Sequence, residues 1–257
     1  MSVPALRLCH LYPGEMNIYA DRGNIAVIRR RLEWRGLALE VTEAGIGDPV
    51  DPGAHDLYYL GGGQDRDQAV VAEDLAAVKG DALRSATAAG AAMLAVCGGF
   101  QLAGHGYTGT DGARMPGVGV LDADTVAGPT RLIGNLVIEA MLDGQARTVV
   151  GFENHAGRTT LGPGARPLGR VLSGHGNDGA SGVEGAVQGR VIGTYLHGPL
   201  LPKNPWLADV VLAWALEHRT GGRVPLAPLD DALEHAAHEA AVARARRGGR
   251  ERLIGRR

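Results

Sequence analysis

Short apolar runs alternate with amphipathic stretches through the first hundred residues. Residues 6–11 (LRLCHL), 37–42 (LALEVT), 57–60 (LYYL) and 93–96 (MLAV) are four such runs, each bounded by turn-forming residues. Runs of this length predict buried strands, because a chain covered on both faces has no reason to alternate polar with apolar. Between the first two, Ile25, Ile28 and Leu32 recur at helical spacing, with Asn24 placed to cap the helix and Gly36 to end it. An Ala-rich stretch over 68–89 predicts a helix with a break at Gly80-Asp81. Strands alternating with helices at this spacing predict βαβ units and a parallel sheet.

The second half has a different texture. Residues 118–121, 132–138, 148–152, 168–172, 183–187 and 191–195 are strand-like and are separated by turns such as GHGNDG at 174–179. They predict strands added to the sheet and an antiparallel layer beside it. Two helices are expected over 206–217 and 230–247. No internal repeat or linker interrupts the chain. The expected organisation is an α/β domain over 1–228, then a C-terminal helix and Arg-rich tail over 229–257.

Composition narrows the function classes. With 45% hydrophobic and 21% charged residues in 257, the chain has ample core material, which excludes a disordered protein. The 40 glycines follow no triplet period, so collagen is excluded too. Aromatics at 4% are too few for a single-strand stacking platform. The net charge is −2, but residues 244–257 hold seven Arg against one Glu, so the rest of the chain is acidic. That distribution leaves no nucleic-acid footprint outside the tail. No apolar run approaches the roughly 18 residues of a membrane span, and the N-terminus lacks the features of a signal peptide, so a cytoplasmic protein is expected. Cys9 and Cys97 alone make neither a disulfide framework nor a zinc site, and no metal is expected.

The chemistry concentrates at Cys97. A buried strand runs straight into Cys97-Gly98-Gly99 and then into a helical segment ending the AVCGGFQ motif. This is the build of a nucleophile elbow, in which a tight strand-to-helix turn lifts the reactive atom above the carboxyl end of a parallel sheet. The helix N-terminus behind the thiol favours its thiolate. Cys9, in the middle of a strand, is expected to be packing. A thiol nucleophile needs a base, usually distant in sequence. His197 directly follows the apolar run 191–195 and would lie at the carboxyl edge beside Cys97; His155, in FENH, is its rival. Acyl transfer also needs backbone donors for an oxyanion. Gly61-Gly62-Gly63 ends a strand in the same half, so the amides of Gly63 and Gly98 are the candidates. The chain carries neither a phosphate-binding G-x-x-x-x-G-K-[ST] loop nor a G-x-G-x-x-G turn, which disfavours a nucleotide site.

These residues resemble the class I, or triad, glutamine amidotransferases. Cys97, Gly99 and Gln101 fit their elbow pattern, with Ala95 where a Gly is usual, and Gly61–Gly63 is similar to their oxyanion loop. The family normally places a Glu two residues after the catalytic His; Pro199 stands there, which is the pattern of the cobyric-acid-synthase-like branch. Within that branch, residues 17–24 (NIYADRGN), 151–159 (GFENHAGRT) and 196–205 (LHGPLLPKNP) resemble the GatD family, the glutaminase subunits of lipid II isoglutaminyl synthases. The similarity spans about 6–220.

The resemblance implies a flavodoxin-like sheet with helices on both faces. It also implies a Cys97–His197 glutaminase that hydrolyses L-glutamine, with Arg131 and Gln101 binding substrate. The ammonia would pass to a Mur-ligase-like MurT subunit, which amidates the α-carboxyl of D-glutamate in the lipid II stem peptide. The family needs no cofactor in this subunit; ATP and Mg belong to the ligase. The third triad member is expected from the partner as an acidic residue, Asp209 and Glu184 being acids of this chain without motif support. A glutaminase serving corrin-type biosynthesis and a non-catalytic ligase scaffold are the alternatives. Fused cobyric acid synthases begin with an ATP-binding domain, whereas this chain opens on the glutaminase, which favours a separate synthetase.

Overall fold

A computed structural model describes residues 4–17, 22–142 and 144–254. Part of the NIYADRGN block and the last three residues of the Arg-rich tail lie outside the described residues. The first half builds one six-stranded sheet. Its strands β1 (Leu6–Leu11), β2 (Leu39–Ala44), β3 (Leu57–Leu60) and β4 (Ala92–Val96) come from the four apolar runs. Helices α1 (Arg22–Glu33), α2 (Asp65–Asp74) and α3 (Gly80–Ala88) connect them. The α4 helix (Gly98–Ala103) follows β4. Strands β11 (Ala186–Gln188) and β12 (Val191–Thr194) complete the sheet in the order β11-β12-β4-β3-β1-β2, parallel except for β11. The order is the flavodoxin-like one, in which ligands collect above the carboxyl edge of the strands.

The second sheet holds β5 (Gly106–Thr108), β6 (Arg114–Pro116), β7 (Ala123–Met141), β8 (Ala146–Leu161), β9 (Gly169–Ser173) and β10 (Val183–Glu184). Its path is β10-β9-β7-β5-β6, with β8 antiparallel to β7. Helix α5 (Pro205–Thr220) packs on the first sheet, and α6 (Ala232–Ile254) lies on the second, burying Val242 and Ala245 beside Val137 and Val150. No described helix is long and apolar enough to cross a membrane.

Several local expectations change. Asn24 is not a cap: α1 starts two residues earlier, and Arg22 N donates to Asn17 Oδ1. Asn24 is buried instead, donating to the Tyr59 hydroxyl at 2.9 Å and accepting from Leu201 N at 2.8 Å. A tertiary partner on the loop beyond residue 197 has taken over the side chain that local sequence offered to the helix end. The break expected at Gly80 is a π-helical turn over Leu75–Lys79, which turns Lys79 inward to Asp74 and the face of Tyr12. Residues 118–121 form no strand. The short strands expected over 132–138 and 148–152 are parts of a ribbon 19 and 16 residues long, because the backbone ladder between β7 and β8 continues through exposed positions that carry no apolar pattern.

Candidate active site

Five parallel strands of the first sheet end at one carboxyl edge, and the Gly61–Gly63 turn, Cys97 and His197 follow three of them, β3, β4 and β12. Cys97 follows β4 directly with φ 54° and ψ −110°. Among the described residues only Tyr12 and Cys97 combine a side chain with such a left-handed φ. A conformation of this kind costs about 1–3 kcal/mol and persists only when its surroundings enforce it. Here Cys97 N donates to Thr194 O at 2.8 Å, and Cys97 O accepts from Gln101 N as the first turn of α4 begins. The side chain is half-buried, whereas Cys9 is fully buried in β1 with its thiol pushed up to about 12 by burial. Cys9 is therefore packing, as expected from its place in a strand.

Beside the elbow, the turn after β3 presses on α4. Gly99 N donates to Gly61 O at 3.0 Å. A Cβ on Gly98 would lie 3.1 Å from Gly63 N and 2.9 Å from Gln68 Oε1. The two amides assigned to the oxyanion thus adjoin each other, at a spot with no room for a side chain.

His197 enters from β12, whose Thr194 is the register partner of Val96. Its backbone is bridged to Phe152 of β8, with Phe152 N donating to His197 O at 3.1 Å and His197 N to Phe152 O at 3.0 Å. The Phe152 ring meets the imidazole edge-on, 5.7 Å between centroids. Burial first, then the neighbouring His155 and Lys203, push the His197 imidazolium down to about 4, against the opposing pull of the Glu153 carboxylate. The ring is accordingly neutral at physiological pH, the state in which it can accept a proton.

The rival, His155, does not follow a strand but sits inside β8. It is buried and stacked flat on Tyr195, with 3.5 Å between ring centroids. Its Nδ1–H donates to Gly157 O at 2.9 Å. Arg131 is on β7, within the stretch where the register with β8 shifts between Ala127 and Leu132. Such irregularities re-aim side chains. Arg131 is exposed, and Asn154 fixes its guanidinium through Nε to Oδ1 and Nη2 to the backbone O, both 2.8 Å. Its charge is also felt at His197.

Gln101 points the other way. It is buried, its Oε1 accepts from Gln68 Nε2 at 2.7 Å and its Nε2 donates to the Tyr195 hydroxyl at 3.3 Å. Hydroxyls of Tyr195, Thr159 and Thr125 continue the chain at 2.7 Å each. This places Gln101 in the support behind the elbow, with both ends of its amide already bonded.

The acids of this chain that sequence reading raised for the third triad position are engaged elsewhere. Asp209 is gripped by Arg31 and Arg35, and Glu184 accepts from Thr194 and from Tyr195 N. Burial pushes the Glu184 carboxyl up to about 8. Glu153, which sequence reading missed, is the acid whose field reaches His197, but its oxygens accept from His175 and Gly176. Asn154, Gln68 and Tyr195 were missed as well; FENH and TYLHG lie beside the chosen residues but nothing in one sequence marks those positions. Among the described residues no cluster of His, Cys, Asp and Glu could hold a metal ion.

A half-buried Cys on a strained elbow, adjoining backbone amides and a neutral His are the parts that thiol acyl transfer uses. Residues 7–205 match the CobB/CobQ-like glutamine amidotransferase domain. The chain belongs to that family. Family members in Staphylococcus aureus and Streptococcus pneumoniae, each named "lipid II isoglutaminyl synthase (glutamine-hydrolyzing) subunit GatD", are both 36% identical to it. The alignments cover 96% of this chain and 99% of the first relative, and 91% and 89% for the second. Among solved structures, PurLQS from Thermotoga maritima superposes with a TM-score of 0.54 at 16% identity, covering 84% of this chain and 97% of that one. At that identity the likeness concerns the fold, and it matches the amidotransferase sheet that the strand order indicates.

Proposed function

We propose that this chain is the glutaminase subunit of a lipid II isoglutaminyl synthase. The observation that carries the reading is 36% identity along nearly the full length of two GatD subunits, and the elbow, the adjoining amides and the neutral His support the chemistry. Cys97 Sγ attacks the side-chain amide carbon of L-glutamine as His197 takes the thiol proton. The carbonyl oxygen gathers negative charge against the amides of Gly63 and Gly98. Collapse expels ammonia, protonated by His197, and leaves a γ-glutamyl thioester. Water, deprotonated by His197, then releases glutamate and restores the thiol.

The ammonia passes to a Mur-ligase-like subunit, MurT, in the cytoplasm. That subunit holds the ATP and Mg and activates the α-carboxyl of D-glutamate in the lipid II stem peptide. The whole-length match favours this acceptor over a corrin-type acid, and the machinery argues against a mere scaffold. The test is reconstitution with the MurT-like protein, ATP, lipid II and glutamine labelled with ¹⁵N in its side-chain amide. The label is expected in the stem peptide by mass spectrometry. Label-free lipid II alongside ammonia release would mean another acceptor.

Arg131 is proposed to clamp the α-carboxylate of glutamine, using the nitrogens that Asn154 leaves available. A charge-assisted pair of this kind contributes about 1.5–3 kcal/mol, so Arg131→Ala should raise KM for glutamine about 10–100-fold while changing kcat much less. Arg131→Lys should recover little, because an ammonium cannot reproduce the planar fork. An unchanged KM in steady-state ammonia release would remove Arg131 from the substrate site.

A further inference from the structure

Two backbone amides leave β12 with no strand to receive them. The strand ends at Thr194, and Tyr195 and Leu196 beyond it are fully buried, out of reach of water. Buried N–H groups demand partners, and here side chains supply them. Tyr195 N donates to Glu184 Oε1 at 2.7 Å. Leu196 N donates to Thr194 Oγ1 at 3.0 Å, and that hydroxyl in turn donates to the Glu184 carboxyl at 3.0 and 3.2 Å. Glu184 is fully buried on β10, a strand of the other sheet. The backbone of the same Thr194 accepts from Cys97 N at 2.8 Å. One residue thereby grips the elbow through its carbonyl and the approach to His197 through its hydroxyl.

We propose that Glu184 and Thr194 are positioning residues for the glutaminase reaction, a clamp that fixes the residue 194–196 turn and so sets His197 against Cys97. The proposal rests on the reading of Cys97 as nucleophile and His197 as base. Two features separate the clamp from ordinary core packing. Among the described residues Glu184 has no ion-pair partner, so its buried carboxyl is held only by the bonds from Thr194 Oγ1 and Tyr195 N, which a core position chosen for packing alone would not need. By contrast, the buried Arg31 is paired with two half-buried carboxylates, Asp209 and Asp231, which tie α1 to α5 and to the chain leading into α6. Moreover, the bonds end on the backbone within two residues of the base, and small misplacements of reacting groups cost rate steeply.

The test is steady-state ammonia release by the full-length chain carrying Thr194→Val, Thr194→Ser, Glu184→Gln or Glu184→Leu, with Cys97→Ser run alongside. Thr194→Val keeps the shape and the carbonyl bond to Cys97 but removes the acceptor for Leu196 N. It is expected to lose about 10²-fold in kcat with KM for glutamine unchanged, as a misplaced base would. Thr194→Ser should restore kcat. Glu184→Gln, whose amide oxygen still accepts from Tyr195 N, should keep most of kcat, whereas Glu184→Leu should fall with Thr194→Val. If Glu184→Leu does not fold, the Thr194 pair decides. Wild-type kcat in Thr194→Val, or equal losses in the Val and Ser variants, would overturn the clamp while leaving the nucleophile in place. An active Cys97→Ser would overturn the underlying reading and the clamp with it.

Discussion

Replacing Cys97 with Ser is expected to abolish glutamine hydrolysis while leaving the fold and its melting temperature nearly unchanged. The exchange keeps the shape of a half-buried side chain and asks nothing new of a backbone already held at φ 54° by Thr194 and Gln101. What disappears is the thiolate, since a serine hydroxyl beside a buried neutral imidazole is a far weaker nucleophile toward an amide. Loss of a nucleophile in a comparable hydrolytic unit reaches about 10⁶-fold in kcat, and removing the base alone costs about as much. His197→Ala should therefore match Cys97→Ser, and the double variant should be no worse than either. Ammonia release measured on the three variants checks this. Retained activity in Cys97→Ser would remove the nucleophile, and an inactive His155→Ala beside an active His197→Ala would reassign the base.

The second large effect concerns the proposed ligase partner. A triad His needs a group that fixes its tautomer and stabilises the imidazolium, and losing that group costs about 10⁴-fold in a serine protease. Pro199 stands where the wider amidotransferase family has its Glu. Three acids of this chain are engaged elsewhere: Asp209 by two arginines, Glu184 by Thr194 and Tyr195, Glu153 by His175 and Gly176. Burial meanwhile pushes the His197 imidazolium down to about 4, so the charge it must carry in the transition state is poorly supported within this chain. The isolated subunit is expected to release ammonia slowly, and the MurT-like partner to raise kcat by orders of magnitude through one carboxylate placed near His197. Such dependence would restrain wasteful hydrolysis when no acceptor enzyme is bound. The measurement is kcat with and without the partner, then with each interface Asp or Glu of the partner neutralised. Full activity in the lone subunit would mean that a residue of this chain already orients the His.

The residues divide by the range of the forces that place them. The parallel sheet was legible in the sequence because buried strands record their burial locally, in runs such as LYYL and MLAV, and strand alternation with helices constrains topology. The elbow was legible for the same reason: a strand ending on Cys97-Gly98-Gly99 has few backbone solutions, and the φ of Cys97 is one of them. The different settings of His197 and His155 were half legible. Both lie near an apolar run, and only the pairing of β7 with β8 puts His155 inside a strand and flat against Tyr195.

Tertiary structure alone decided the rest. Asn24 left its helix end for Leu201, Gln101 turned to Gln68 and Tyr195, and Glu184 came from the other sheet to hold the turn before His197. Polar side chains in a sequence advertise only that they need partners. Which partner each one finds depends on which buried backbone groups the fold leaves unsatisfied, and that is known only when distant strands have met.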